Sequence, residues 1–162
     1  MNIFYLHHVP ALCAIMHADK HVVKMILETT QLLFGVWHVV DPEHTLYTPV
    51  YRLTHKNHPC AKWARASVDN YVWLCELGLA LCREYSYRYK DRTHKCEAYL
   101  ADLRRHVPPL DTTSGFTPVA QAMPDHHRGT DPVAAYRRYY TVDKAHLHKW
   151  KRRGPPAWIS RP

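Results

Sequence analysis

A chain of 162 residues suits one domain of ordinary size with a core of its own, and 46% apolar residues argue against wholesale disorder. Five glycines are few for the turns of an all-β protein, so composition leans helical, and no apolar run approaches the ~20 residues of a membrane-spanning helix. The formal charge of +8 sets up a field that attracts polyanions, with a merely solvated basic surface as the plainer alternative.

In chain order, Ile3 to Leu6 is a short apolar segment, either buried and extended or a lead-in to helix, and Pro10 can open a first helical turn. Asp19 stands as a cap or first-turn acid for a long helix over 19–38. There Val22, Val23, Ile26, Leu27, Thr30, Leu33, Phe34 and Trp37 recur at three- and four-residue steps. Asp41-Pro42 ends it, and 41–58 reads as a connector. Asn57 or His58 can then cap a second long helix over 59–88, with Pro59 in its first turn. A third helix is expected from Thr93 to His106, stopped by Pro108-Pro109. Residues 107–130 form the longest irregular stretch, where Phe116-Thr117-Pro118 and Gln121-Ala122-Met123-Pro124 stand out. Asp131-Pro132 repeats the cap-then-proline start for a last helix with Tyr136 and Tyr140 inward. The expectation is an all-α, single compact domain over 1–162, with four to five helices, long irregular connections and a basic, aromatic C-terminal extension at 150–162.

Five cysteines with no C-x-x-C pair cannot form a complete disulfide set, and Cys75 and Cys82 fit a helix core. The opening Met1-Asn2-Ile3-Phe4-Tyr5-Leu6 has no basic region and makes a poor signal peptide. Both point to an intracellular, reducing compartment. There is no P-loop, G-x-G-x-x-G, G-x-S-x-G or zinc-finger spacing, which excludes P-loop nucleotide hydrolysis and Rossmann dinucleotide binding.

Three constellations carry chemistry. On a continuous helix His17, His21, Lys24 and Glu28 share one face, with Asp19 and Lys20 beside them. This ridge admits a metal site of His17 and His21 with Asp19 or Glu28, although Lys20 and Lys24 oppose a cation there. It also admits amine chemistry, in which Lys20 or Lys24, crowded by cations and partly desolvated, forms a Schiff base with a sugar while Glu28 or Asp19 stabilises positive charge. A solvated face held by pairs such as Lys24–Glu28 is the plain alternative. The second constellation, His55, Lys56, Asn57 and His58 at a helix start, can take a phosphate or simply cap the helix. The third is the stretch of Arg137, Arg138, Tyr139, Lys144, Lys151, Arg152 and Arg153 with Tyr136, Tyr140, Trp150 and Trp158, a pattern for phosphates and unpaired bases.

The segments Met1–Leu6, Asp19-Lys20-His21-Val22-Val23-Lys24-Met25-Ile26-Leu27-Glu28, Thr54–Cys60, Gln121–Pro124 and Tyr136-Arg137 with Tyr139-Tyr140 and Lys144 resemble a family of small phage and large-virus proteins. The layout is also distantly similar to phage pyrimidine-dimer DNA glycosylases, most of all from Lys56-Asn57-His58-Pro59 to Trp63 and on to Glu84-Tyr85. That resemblance implies a small, basic, all-helical DNA enzyme without metal or other cofactor. Such an enzyme attacks C1′ of a damaged or modified nucleotide with an amine and uses a carboxylate on an early long helix. Its members use the α-amine of a small second residue. Asn2 is bulky, so Met1 is expected to stay, and the Met1 amine, Lys20 or Lys24 would have to serve. The resemblance implies His21 and His58 orienting the sugar-phosphate and Gln121 among the DNA contacts. The expected partner is nucleic acid, DNA ahead of RNA, and the viral resemblance implies the host cytoplasm or nucleus, or the virion, as its place. The alternatives are a non-catalytic nucleic-acid-binding protein and a metal-dependent nuclease on His17, Asp19 and His21.

Overall fold

The computed structural model describes residues 1–159. Among these it contains six α-helices and no strand: α1 (Pro10–Met16), α2 (Asp19–Val40), α3 (Pro59–Ala64), α4 (Val68–Arg88), α5 (Glu97–Arg105) and α6 (Pro132–Val142). Two short 3-10 turns flank α6, at Asp125–His127 before it and Ala145–Leu147 after it. The all-α expectation holds, and the extra helix comes from a break that the periodicity over 59–88 hides. Ser67 is extended (φ −154°, ψ 163°), and its hydroxyl accepts from Asn70 N–H to start α4. The Asn70 side-chain amide donates back to the Trp63 carbonyl at 2.8 Å, so one residue serves the end of α3 and the start of α4. No helix among the described residues is long and apolar enough to cross a membrane.

α2 and α4 are the central pair, with α1, α3 and α5 packed around them. Tyr71, Phe34, Ile26, Leu33, Leu74 and Leu81 are fully buried between the helices, each worth about 1.5–3 kcal/mol of burial. Gly78 marks the closest approach. A Cβ there would sit 2.7 Å from Leu100 Cδ2 and 3.0 Å from Thr29 Cγ2, so α4 meets α2 and α5 only because this side chain is missing. The five cysteines are free and buried, and desolvation pushes the thiols of Cys13, Cys75 and Cys82 up to about 12.

Ile3 to Leu6 is buried extended chain, not helix. Phe4 stacks on His21 (4.4 Å between centroids, 22°) and meets Tyr136 and Tyr140 edge-on. Tyr5 packs on Trp73, and the Leu6 carbonyl accepts from Arg137 Nε at 3.0 Å. The first six residues are thus part of the core, running antiparallel to α2.

Candidate functional site

That antiparallel course decides where the chain start lies. With Phe4 on His21, three extended residues back to Met1 span about 10 Å. Seven helical residues, from 21 to 28, rise about 10.5 Å. The Met1 nitrogen accordingly lies 3.9 Å from Glu28 Oε2, and the Asn2 N–H donates to the same oxygen at 3.1 Å. From the other side Lys24 Nζ approaches Glu28 Oε1 at 3.4 Å. The Glu28 side chain is 12% exposed and that of Lys24 65%, so a sheltered carboxylate sits between two nitrogens, one sheltered and one in solvent.

Asn2 locks this arrangement. Its Nδ2 donates to the Ala122 carbonyl at 2.9 Å, and its Oδ1 lies 3.0 Å from the Tyr136 hydroxyl. The same hydroxyl donates to the Ala120 carbonyl at 2.7 Å and accepts from Ala122 N–H. A small residue at position 2 could not make these contacts. The bulk of Asn2, a departure from the glycosylase pattern, is here the anchor of the chain start. Beside it the Cys60 thiol is pushed up to about 11 by burial, which removes it as a thiolate nucleophile.

His58 caps α3, its Nδ1 accepting from Cys60 N–H, which puts its ring proton on Nε2 as a donor. Burial, the positive chain start and His55 lower its pKa, partly offset by Glu28. The neutral ring is therefore a neighbour of the Met1–Glu28 pair. Asn57 is exposed and does not cap, and His55 and Lys56 lie exposed on the same turn.

No known protein family, curated protein or solved structure matches the chain.

The ridge of the sequence reading is divided by the structure. His17 is not on α2, whose N-cap is Ala18. Its ring is fully buried, with Nδ1 2.8 Å from the Cys13 carbonyl. His21 is buried too, its Nδ1 2.8 Å from the Tyr140 hydroxyl. Burial lowers the pKa of His17 to about 4. Burial, then His17, Lys144, Lys24 and His146, lowers that of His21 to about 3. His21 therefore supports Phe4 and does not reach outward. Asp19 is saturated as well: Arg88 Nη1 donates to it at 3.0 Å and the Lys151 N–H donates at 2.9 Å. The ligand atoms of His17, Asp19 and His21 do not converge. The one such cluster among the described residues is His126, His127 and Asp143.

Several basic residues expected on nucleic acid are instead tied into the fold. Arg153 donates to both Glu84 oxygens at 2.9 Å, completing a network in which buried Arg88 joins Glu84 and Asp19. Arg137 holds the Leu6 carbonyl and lies over the Trp158 ring, and Arg138 donates to the His127 carbonyl. Tyr139 is half-buried against Phe4 and His127, with Lys144 Nζ 4.8 Å above its ring. The Gln121 amide makes two bonds to the Gly129 backbone and closes the loop between them. Lys20 and Lys24 remain open on α2. Lys90, Arg92, Lys151 and Arg152 line a cleft of about 590 Å³ with Arg88 and Tyr89. The extension at 150–162 is bound down through Trp150, Lys151 and Arg153, and its last three residues lie outside the described ones.

The sequence analysis missed Asn2 and Tyr136 as positioning residues. The visible signal was a polar residue inside an otherwise apolar buried opening.

Proposed function

We propose that the protein is a DNA glycosylase with AP-lyase activity, in which an amine at Glu28 attacks C1′ of a damaged or modified nucleotide. The observation that carries this is the approach of the Met1 nitrogen and Lys24 Nζ to the two oxygens of one sheltered carboxylate. The unprotonated amine adds to C1′, the C1′–base bond breaks, and the base leaves with its bonding electrons and takes up a proton. Ring opening gives an imine between the amine and C1′. Loss of a C2′ proton then expels the 3′ phosphate, and water releases the amine. Glu28 receives the proton the amine sheds and faces the cationic sugar as it forms. Lys24 Nζ, 65% exposed and 3.4 Å from Glu28 Oε1, is the amine with room to reach a sugar, while the Met1 nitrogen lies on the other oxygen of the same carboxylate.

Lys20 and Lys24 lie exposed on α2 at four-residue steps before Glu28 and give the DNA backbone a positive approach, to which the exposed His55-Lys56 turn preceding His58 adds. His58 Nε2–H can donate to a sugar or phosphate oxygen at the same place. The chemistry asks for no cofactor, as the resemblance to the viral glycosylases implied.

The test is incubation of chelator-treated protein with a duplex carrying one abasic site, with and without borohydride. A reduced covalent adduct, and strand cleavage when borohydride is left out, are expected. No adduct and no cleavage, with salt-sensitive binding intact, would leave a non-catalytic DNA-binding protein.

A further inference from the structure

We infer that His126, His127 and Asp143 form a binding site for one divalent cation of the zinc class, remote in chemistry from the amine pair and independent of it. Their ligand atoms all lie within 4.8 Å of one another. His127 Nε2 is 3.1 Å from Asp143 Oδ1. Two ligands of a tetrahedral zinc at bonds of about 2.0–2.1 Å stand about 3.3 Å apart, so this pair needs almost no movement to share an ion. His126 is exposed, its ring 4.1 Å from that of His127, and a side-chain rotation brings it in.

The frame around the cluster is rigid where a ligand needs it. The His127 side chain is 5% exposed. It packs on Tyr139, and its carbonyl is held by Arg138 at 2.8 Å. Asp143 is the C-cap of α6, where the helix dipole already places partial negative charge and an acid is unfavourable without a cation. Among the described residues its ion-pair partner is His127 alone. Lys144, next in the chain, lies over Tyr139, and Arg128 pairs with Asp125. Two imidazoles and one carboxylate make a three-ligand set that leaves a fourth position for water, a donor set suited to zinc, cobalt or nickel and not to magnesium or calcium.

The ion would join the Asp125–His127 turn to the end of α6. Arg128 Nε holds the Met123 carbonyl, and Gln121 holds Gly129, so the brace closes the loop over residues 121–129. Its effect is on the order of that segment, with no step of a reaction routed through it.

The experiment is titration of chelator-stripped full-length protein with Zn²⁺ by calorimetry, and with Co²⁺ by visible absorption. Expected are one ion per chain, the strong absorption of tetrahedral Co²⁺ and a higher Tm with zinc. His126→Ala, at an exposed side chain, and the near-isosteric Asp143→Asn should each weaken binding at least tenfold while the metal-free Tm stays close to wild type. His8→Ala, at another exposed histidine, should change nothing. No binding, or binding that both variants leave unchanged, would overturn the assignment.

Discussion

Two carboxylates nine residues apart on α2 are given opposite surroundings. Asp19 is buried and saturated. It takes the Arg88 guanidinium and the Lys151 N–H, while Glu84 takes Arg88 and Arg153, so two buried acids are matched by one buried and one partly exposed arginine. Glu28 has the same kinds of partner, but one is the Met1 nitrogen at 3.9 Å and another the solvent-exposed Lys24. A saturated buried pair can only hold structure, whereas a carboxylate with loosely held amines can exchange protons and face a new positive charge. The comparison separates fold from chemistry along a single helix, and variants at each end should behave differently.

The largest expected effect is at the closed end. Arg88→Met removes the shared cation and leaves Asp19 and Glu84 buried without it, which should cost about 3–5 kcal/mol of stability. Denaturant unfolding checks this, and any surviving folded protein should keep its DNA binding. At the open end, Glu28→Gln keeps shape and burial. It should lower adduct formation on an abasic duplex by about 10²–10³-fold, in the range of losing one electrostatic transition-state contact, with Tm little changed. A large loss of Tm with proportionate loss of activity would place Glu28 in the same class as Asp19.

The histidines add a pH arm. His17, at about 4, and His21, at about 3, are held below the ordinary value near 6.5 by burial, so the unfolded chain binds more protons at mildly acid pH. Their stabilisation is full above pH ~6.5 and falls as pH drops toward 4, by on the order of 3 kcal/mol from His17 alone. Thermal unfolding from pH 7 to 4 should show this decline. A flat profile across that range would mean the rings are open to solvent. The smallest effect is at the surface: Lys20→Ala should lower the salt slope of DNA binding by about 1 and leave stability within about 0.5 kcal/mol.

Much of the fold was legible because it is carried by period and punctuation. The apolar repeat from Val22 to Trp37 marks α2, and the proline starts at Pro10, Pro59 and Pro132 open α1, α3 and α6. The break between α3 and α4 escaped because apolar residues continue at helical spacing across it; Ser67 and Asn70, a side-chain cap and its partner, were its only mark. The ridge failed for a different reason. Spacing puts His21 and Glu28 on one face but says nothing of what covers each. Phe4 covers His21, while the Met1 nitrogen meets Glu28. That contact joins residues far apart in sequence through an extended segment without periodicity, so only its apolar character could be read. Lys24–Glu28 is a local i, i+4 pair and was visible from the outset.

The central claim is that an amine beside Glu28 becomes covalently joined to the sugar. Its most direct test is borohydride reduction on an abasic duplex, followed by digestion and mass mapping of the adduct. The expected result is the reduced sugar on an amine beside Glu28, Lys24 Nζ or the Met1 nitrogen, with trapping lost in Glu28→Gln. An adduct on a lysine remote from Glu28, or none at all while the protein still binds the duplex, would contradict it.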